Sequence, residues 1–279
     1  MLTGENISFQ PLLHRSPMPK DYFLCFHENM VLLSGDTAAA AQLPEFSAVQ
    51  PLLSKERTPF LCFSLPQGNL YIEDTPSPLA SLEKSLLAYM PVQVFREMHA
   101  KEDALLLISA WHLTVWRRRN RFCGGCGTPM SPSPVERALI CDNCQQTVFP
   151  TISPAVSVAI TDKDSLLLAR NVRASFPHFS LVAGYVEIGE TLEETVLREV
   201  MEEVGLKVKN LRYVGSQAWG LSQSEMVGFT AELEGSNQIR LQTSELSEAR
   251  WFHRDEITPN PDPLSLSFEM IEKFRTGTL

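Results

Sequence analysis

Gly184-Tyr-Val-Glu-Ile-Gly-Glu190-Thr-Leu-Glu-Glu-Thr-Val-Leu-Arg198-Glu199-Val-Met-Glu202-Glu203-Val-Gly205-Leu206 is the stretch from which the rest of the chain is read. Thr191-Leu-Glu-Glu194 fits a capping box ahead of an apolar-periodic run, which predicts a helix starting near Thr191. Leu192, Val196, Val200 and Val204 recur every four residues and predict its buried stripe. Gly205 stands where a helix stop is expected. Glu199, Glu202 and Glu203 are spaced i, i+3 and i+4, so their side chains are neighbours on an arc of about 100°. Neighbouring carboxylates repel one another unless a cation joins them. Hard cations such as Mg²⁺ and Mn²⁺ prefer oxygen ligands and commonly share their shell with substrate phosphates. A solvated acidic helix face has the same carboxylate spacing, so the residues around it have to separate the two readings.

They do. The stretch reads Gly, five residues, Glu, seven residues, Arg-Glu, an aliphatic residue, any residue, Glu-Glu, any residue, Gly, aliphatic. Seven such identities coincide by chance roughly once in 10⁸ starting points at ordinary residue frequencies, so coincidence is set aside. The pattern is the Nudix box, and the sequence resembles a Nudix hydrolase. The resemblance implies an α+β fold, an αβα sandwich around a mixed sheet. It also implies Mg²⁺- or Mn²⁺-dependent attack of water on a nucleoside diphosphate linked to another group.

The 279 residues suffice for about two domains. Hydrophobic residues make up 44% and charged residues 20%, which suits a globular chain with a full core. A net charge of −9 and a pI near 5.2 weigh against a surface covered in nucleic-acid contacts but leave room for a local basic patch. The opening Met1-Leu-Thr-Gly-Glu-Asn6 is polar and acidic, unlike a secretory leader. The longest apolar run, Ala104 to Trp116, is too short for a bilayer and is interrupted by Ser109, His112 and Thr114. The expectation is a cytoplasmic protein with no membrane partner.

Two of the six cysteines, Cys25 and Cys62, lie in apolar, strand-like surroundings and are expected as buried thiols. The other four form Cys123-Gly-Gly-Cys126, fourteen intervening residues, and Cys141-Asp-Asn-Cys144, a zinc-ribbon spacing. Two such turns close a tetrahedral four-thiolate site with no position for water. One structural Zn²⁺ per chain is therefore expected rather than a redox pair.

Residues 1–100 are expected as a β-rich N-terminal domain. Tyr22–Phe26 and Met30–Ser34 pair as one hairpin, and Phe60–Leu65 and Asn69–Glu73 as another across Pro66-Gln-Gly68. Thr37–Gln50 is expected as a loop or short helix, and Pro76–Pro78 as a turn. Residues 101–121 form a linking helix over Glu102–Arg118, with Leu105, Ile108, Trp111, Leu113 and Val115 as its apolar positions. It ends in Arg117-Arg-Arg-Asn-Arg121. That cluster fits either cation placement at a helix C-terminus or a phosphate-contacting patch. Residues 122–150 form the small ribbon, with Met130–Pro134 as a turn and Arg137–Ile140 as a strand. The Nudix domain takes residues 151–279, with strands at Ala155–Ile160, Ser165–Ala169, Phe179–Ala183, Leu211–Val214, Ser224–Ala231 and Ala249–His253, and a last helix at Phe268–Arg275.

A zinc ribbon directly before a Nudix domain, with a further N-terminal domain, resembles the NADH pyrophosphatase (NudC-type) branch. That branch carries Ser-Gln-Pro-Trp-Pro-Phe-Pro-x-Ser after the box. Here the segment reads Ser216-Gln217-Ala218-Trp219-Gly220-Leu221-Ser222-Gln223-Ser224. Ser216, Gln217, Trp219 and Ser224 are kept. The missing prolines predict a less preorganised loop, and the missing phenylalanine removes one aromatic face, while Trp219 still offers a stacking surface.

The resemblance implies a metal set of Glu199, Glu202, Glu203, Glu245 and the Ala183 carbonyl, with Glu202 or Glu203 as base and Arg198 anchoring the box carboxylates. It places substrate contacts at Arg96, Glu136, Phe149, Tyr185, Gln217 through Ser224 (Gln217, Ala218, Trp219, Gly220, Leu221, Ser222, Gln223, Ser224) and Ser267. It implies hydrolysis of NAD(H) to NMN(H) and AMP, removal of the same pyrophosphate from NAD-capped RNA, and a homodimer. The altered segment leaves room for another dinucleotide or a nucleotide sugar as substrate. The rival of another class is a non-catalytic nucleotide sensor or zinc-ribbon nucleic-acid binder.

Overall fold

The computed structural model describes residues 16–53, 59–75, 77–79, 82, 86–172, 178–259 and 264–279. The opening Met1–Asn6 and Pro76 of the expected turn lie outside them. The chain divides into two compact units, residues 1–151 with 220–222, and residues 152–219 with 223–279.

In the first unit, strands β1 (Tyr22–His27), β2 (Met30–Ser34), β3 (Phe60–Leu65), β4 (Gly68–Asp74) and β5 (Leu87–Pro91) form one sheet in the order β3-β4-β1-β2-β5. The two expected hairpins are present, and β1 joins them by pairing parallel to β4. Phe23, Leu24, Cys25 and Phe26 are all buried, because this central strand is covered on both faces and carries apolar residues without alternation. Between β2 and β3 lie the four-residue helix α1 (Phe46–Val49) and a 3₁₀ turn at Gln50–Leu52. Cys25 and Cys62 are both buried, and burial holds the Cys62 thiol up at about 12.

Helix α2 (Lys101–Arg119) has Glu102 and Asp103 in its first turn and Arg117, Arg118 and Arg119 in its last, the signs that suit the helix dipole. Its buried surface is wider than one stripe: Leu106, Leu107 and Trp116 are buried as well as Ile108, Trp111 and Leu113, while Leu105 and Val115 are only half-buried. A helix packed on more than one side has no single apolar stripe for periodicity to find. Two of the clustered arginines have intramolecular roles. Arg117 lies over the Phe60 ring at 4.1 Å, and Arg118 makes a two-pronged contact with Asp74 at 2.6 and 2.8 Å while donating to the Glu28 carbonyl.

The ribbon is a three-stranded sheet of β6 (Met130–Pro132), β7 (Leu139–Cys141) and β8 (Thr147–Val148). Met130–Pro132 is thus a strand and not the expected turn. Pro132 is tolerated at the end of an outer strand, where a missing N–H costs no ladder bond.

The second unit is built on a mixed sheet. Its strands are β9 (Ser153–Asp162), β10 (Ser165–Asn171), β11 (Val182–Tyr185), β12 (Lys207–Trp219), β13 (Ser224–Glu234) and β14 (Leu246–His253), in the order β12-β13-β9-β10-β14 with β11 also paired to β9. Only β13–β9 is parallel. Helix α3 (Leu192–Val204) packs Val196, Val200 and Val204 against one face, over Val156, Val158, Ile160 and Phe229. Helix α4 (Leu266–Thr276) packs Met270, Ile271 and Phe274 against the other, over Ala159, Leu166 and Leu168. The layers are those of an αβα sandwich.

Strand β12 runs thirteen residues where only Leu211–Val214 was expected. Most of the expected loop is therefore strand: Ser216, Gln217, Ala218 and Trp219 pair with Val227, Met226, Glu225 and Ser224. The reason is the missing proline: Ala218 sits in the ladder, where proline has no N–H to give. The segment is held by a β-ladder, and only residues 220–223 turn.

Candidate active site

Helix α3 is fixed at both ends by local chemistry. The Thr191 hydroxyl accepts from the Glu194 amide at 3.2 Å, and the Glu194 carboxylate accepts from the Thr191 amide at 2.8 Å. Gly205 closes the helix in the left-handed region at φ 66°, which glycine adopts without strain. With both ends set and the valine stripe buried, the rotation of the helix is determined. Glu199 and Glu203 turn toward the sheet and are buried, while Glu202 stays exposed.

Glu199 lies against the backbone of β11. A Cβ added at Gly184 would sit 1.9 Å from the Glu199 carboxyl carbon, so only glycine admits that carboxylate. Ala183 precedes it on β11, paired opposite Ser157. The contact joins two distant features of the motif, its first glycine and the first Glu after Arg198.

Arg198 organises the remaining carboxylates. It donates to Glu190 at 2.6 and 2.9 Å, to Glu199 at 2.8 Å, to Glu202 at 3.1 Å and to the Tyr185 carbonyl at 2.9 Å. The Arg198 hydrogen bonds pull Glu190 down to about 2. Burial pushes Glu199 upward in spite of Arg198. Glu203 has no such partner among the described residues, and burial followed by the negative charge of Glu199, Glu245 and Glu202 pushes it up to about 8. A buried carboxylate facing three others is a site that favours a cation. An all-oxygen donor set suits a hard divalent ion, so the residues present fit Mg²⁺ or Mn²⁺. In this structure Glu190, Glu199 and Glu202 are arranged around the Arg198 guanidinium. Among the described residues, the four ribbon cysteines are the one group of three or more ligand atoms lying within 4.8 Å of one another.

Those cysteines form a compact tetrad. Cys123 Sγ is 3.5 Å from Cys144 Sγ, and Cys126 Sγ is 3.5 Å from Cys141 Sγ. Four thiolates about 2.3 Å from a central ion lie at such separations, so the tetrad fits a closed zinc site.

The expected substrate contacts divide between the units. In the first, Arg96 ends a short 3₁₀ turn and rests on the Phe95 ring at 5.1 Å, and Glu136 and Phe149 are exposed on the ribbon. Gly220, Leu221 and Ser222 also belong here; a Cβ on Gly220 would meet the Ile108 carbonyl oxygen at 2.0 Å, so a larger residue is excluded. In the second, Tyr185 is exposed and Trp219 half-buried, while Gln223 and Ser224 are buried and Ala218 is exposed. Glu245 is exposed at the start of β14 and acts electrostatically on both Glu199 and Glu203.

Gln217 has a role its sequence position did not indicate. Its side-chain oxygen accepts from the Leu266 amide at 2.7 Å and its side-chain nitrogen donates to the Leu264 carbonyl, so the amide clamps the start of α4. Ser157 is a further residue that sequence reasoning missed. It is fully buried on β9, and its hydroxyl is 2.8 Å from that of Ser267. A serine inside an apolar strand run was its only signal.

Residues 151–274 match the NUDIX domain family, and residues 118–149 match the NADH pyrophosphatase zinc ribbon domain. The NAD-capped RNA hydrolase NudC of Salmonella paratyphi C is 47% identical over 160 residues, which cover 57% of this chain and 62% of that protein. The protein of the same name from Salmonella typhi matches at the same identity and extent. The match thus spans about three fifths of the length of these relatives. Among solved structures, a NUDIX hydrolase from Nitrosomonas europaea aligns with a TM-score of 0.49 at 22% identity, over 56% of this chain and 90% of its own. The chain thus carries a NUDIX domain directly after an NADH pyrophosphatase zinc ribbon domain.

Proposed function

We propose that the protein hydrolyses the pyrophosphate of NAD(H), giving NMN(H) and AMP, and removes the same group from NAD-capped RNA. The observation that carries the reading is a pair of buried carboxylates, Glu199 against the Gly184 backbone and Glu203 one turn on, on a helix capped at both ends. The 47% identity to proteins named NAD-capped RNA hydrolase supports the substrate. In the reaction, water attacks one phosphorus, the bond from that phosphorus to the bridging oxygen breaks, and the bridging oxygen leaves on the other nucleotide.

The Ala183 carbonyl, Glu199, Glu202, Glu203 and Glu245 would hold a divalent cation, Mg²⁺ or Mn²⁺, which would supply the positive charge that offsets the pyrophosphate oxygens and keeps the carboxylates ionised. Glu203 is the better base of the two expected, because it is buried and shares no hydrogen bond with Arg198, whereas Glu202 is exposed and bound to that guanidinium. Arg198 positions carboxylates and the Tyr185 carbonyl. Gln217 and Ser157 position Ser267 and the start of α4. Tyr185 and Trp219 offer rings to the substrate's bases.

The four-part division into residues 1–100, 101–121, 122–150 and 151–279, the homodimer and the cytoplasmic location belong to this same reading. Among the described residues no helix is long and apolar enough to cross a membrane. Gly220 and Leu221 replace a proline and a phenylalanine of the branch's motif, which favours a second reading, hydrolysis of another dinucleotide or a nucleotide sugar. The test is turnover of NADH by wild type and Glu203→Gln. Loss of activity with zinc content and circular dichroism preserved supports the proposal, and undiminished activity in the variant removes it.

A further inference from the structure

On the α4 face of the second unit's sheet, a groove of about 470 Å³ runs between the end of α4 and strands β12 and β13. Four cations line it: Lys163 from the β9–β10 turn, Arg212 from β12, Arg254 after β14, and Lys273 from α4. On a chain of net charge −9 this is a local reversal of sign. Glu232 lines it as well and accepts from Asn210 at 2.8 Å, while Asp164 lies 4.0 Å from Arg254 and Glu269 2.6 Å from Lys273. Arg254 is committed to the fold, donating to the Phe274 carbonyl and lying over its ring. Lys163 and Arg212 are exposed and form no ion pair among the described residues. The Lys273–Glu269 pair is exposed on both sides, so a phosphate can replace it at small cost.

The groove shares its walls with the proposed substrate site. Gln217 and Arg212 lie on the same strand, five residues or about 16 Å apart. Ser267 and Lys273 lie on the same helix, six residues or about 9 Å apart. The candidate substrate contacts thus stand at one end of β12 and α4 and the cations toward the other, a separation of a few nucleotides of extended chain.

We infer that this groove is a track for the single-stranded RNA body of a capped substrate, with Arg212, Lys163 and Lys273 holding successive phosphates. The inference rests on the reading of the protein as a hydrolase of NAD-capped RNA. Phosphate contacts of this kind are independent of base sequence and weaken steeply with salt. They leave free NAD(H), which has no RNA body, unaffected.

The test compares wild type with Arg212→Glu combined with Lys163→Asn; asparagine tolerates the left-handed backbone of Lys163, φ 54°. Arg212→Lys serves as the charge-preserving control. Each protein is assayed with NADH, with an NAD-capped RNA of about 12 nucleotides, and by fluorescence anisotropy with the same RNA uncapped. The expected result is that kcat/KM for capped RNA falls about tenfold in the double variant, with a salt slope shallower by about one per cation lost. NADH turnover is unchanged, the uncapped RNA binds more weakly, and Arg212→Lys resembles wild type. Equal turnover of capped RNA by wild type and the double variant overturns the inference, as does an equal loss on both substrates. If wild type leaves NADH and capped RNA intact, the hydrolase reading fails. The anisotropy arm then decides the groove alone: weaker binding by the variant keeps it as an RNA site, and equal binding removes it.

Discussion

Glu203 shows how a single residue couples the fold to its chemistry. Burial, then the charges of Glu199, Glu245 and Glu202, raise it from 4.5 to about 8. In the unfolded chain it ionises at its ordinary value. Between about pH 4.5 and 8 the folded state therefore holds a proton that the unfolded state has lost, and stability falls as pH rises. The thermal midpoint of zinc-loaded protein without added Mg²⁺ or Mn²⁺ is expected to fall across that window, and Glu203→Gln to remove this part of the slope. Identical slopes in the two proteins would contradict the assignment. The same variant should lower kcat for NADH by on the order of 10²–10⁴-fold, the range for loss of a general base. Gly184→Ala addresses the neighbouring contact. Its Cβ would lie 1.9 Å from the Glu199 carboxyl carbon, so that side chain must leave its place. The expected outcome is weaker Mn²⁺ binding by calorimetry, with circular dichroism unchanged.

At the scale of elements, what was legible in the sequence was what local chemistry decides. Helix α3 could be read from Thr191 to Gly205 because its cap, its stripe and its stop are all encoded within one segment. Thr191→Ala removes the hydroxyl that accepts from Glu194 and is expected to cost about 1 kcal/mol in urea unfolding. An unchanged midpoint would show that packing alone holds the helix. Strand β12 was underestimated because its outer residues are polar and exposed, and its extent is set by pairing with β13 rather than by any apolar pattern of its own. Helix α2 was legible as a helix, but its buried surface was read too narrowly because it is buried on several sides. The clamp from Gln217 to Leu264 and Leu266 spans nearly fifty residues of sequence, and no local pattern announces it. The cationic groove was illegible for the same reason, since Lys163, Arg212, Arg254 and Lys273 stand far apart in the chain and only the sandwich assembles them.

At the scale of the whole molecule, the cysteine tetrad and the carboxylate cluster answer to different metals, and the two should separate experimentally. Soft thiolates select zinc and oxygen ligands select a hard cation. Cys144→Ser is expected to abolish the single equivalent of zinc measured by atomic absorption, whereas Glu203→Gln leaves it in place. Zinc retained in full by the cysteine variant would contradict a four-thiolate site. The central claim, that this chain cleaves a dinucleotide pyrophosphate, is tested most directly by chromatographic analysis of products from NADH in the presence of Mg²⁺ or Mn²⁺. The account predicts NMNH and AMP in equal amounts. NADH recovered intact with the cation bound, or cleavage that yields nicotinamide and an ADP-ribose fragment, would contradict it.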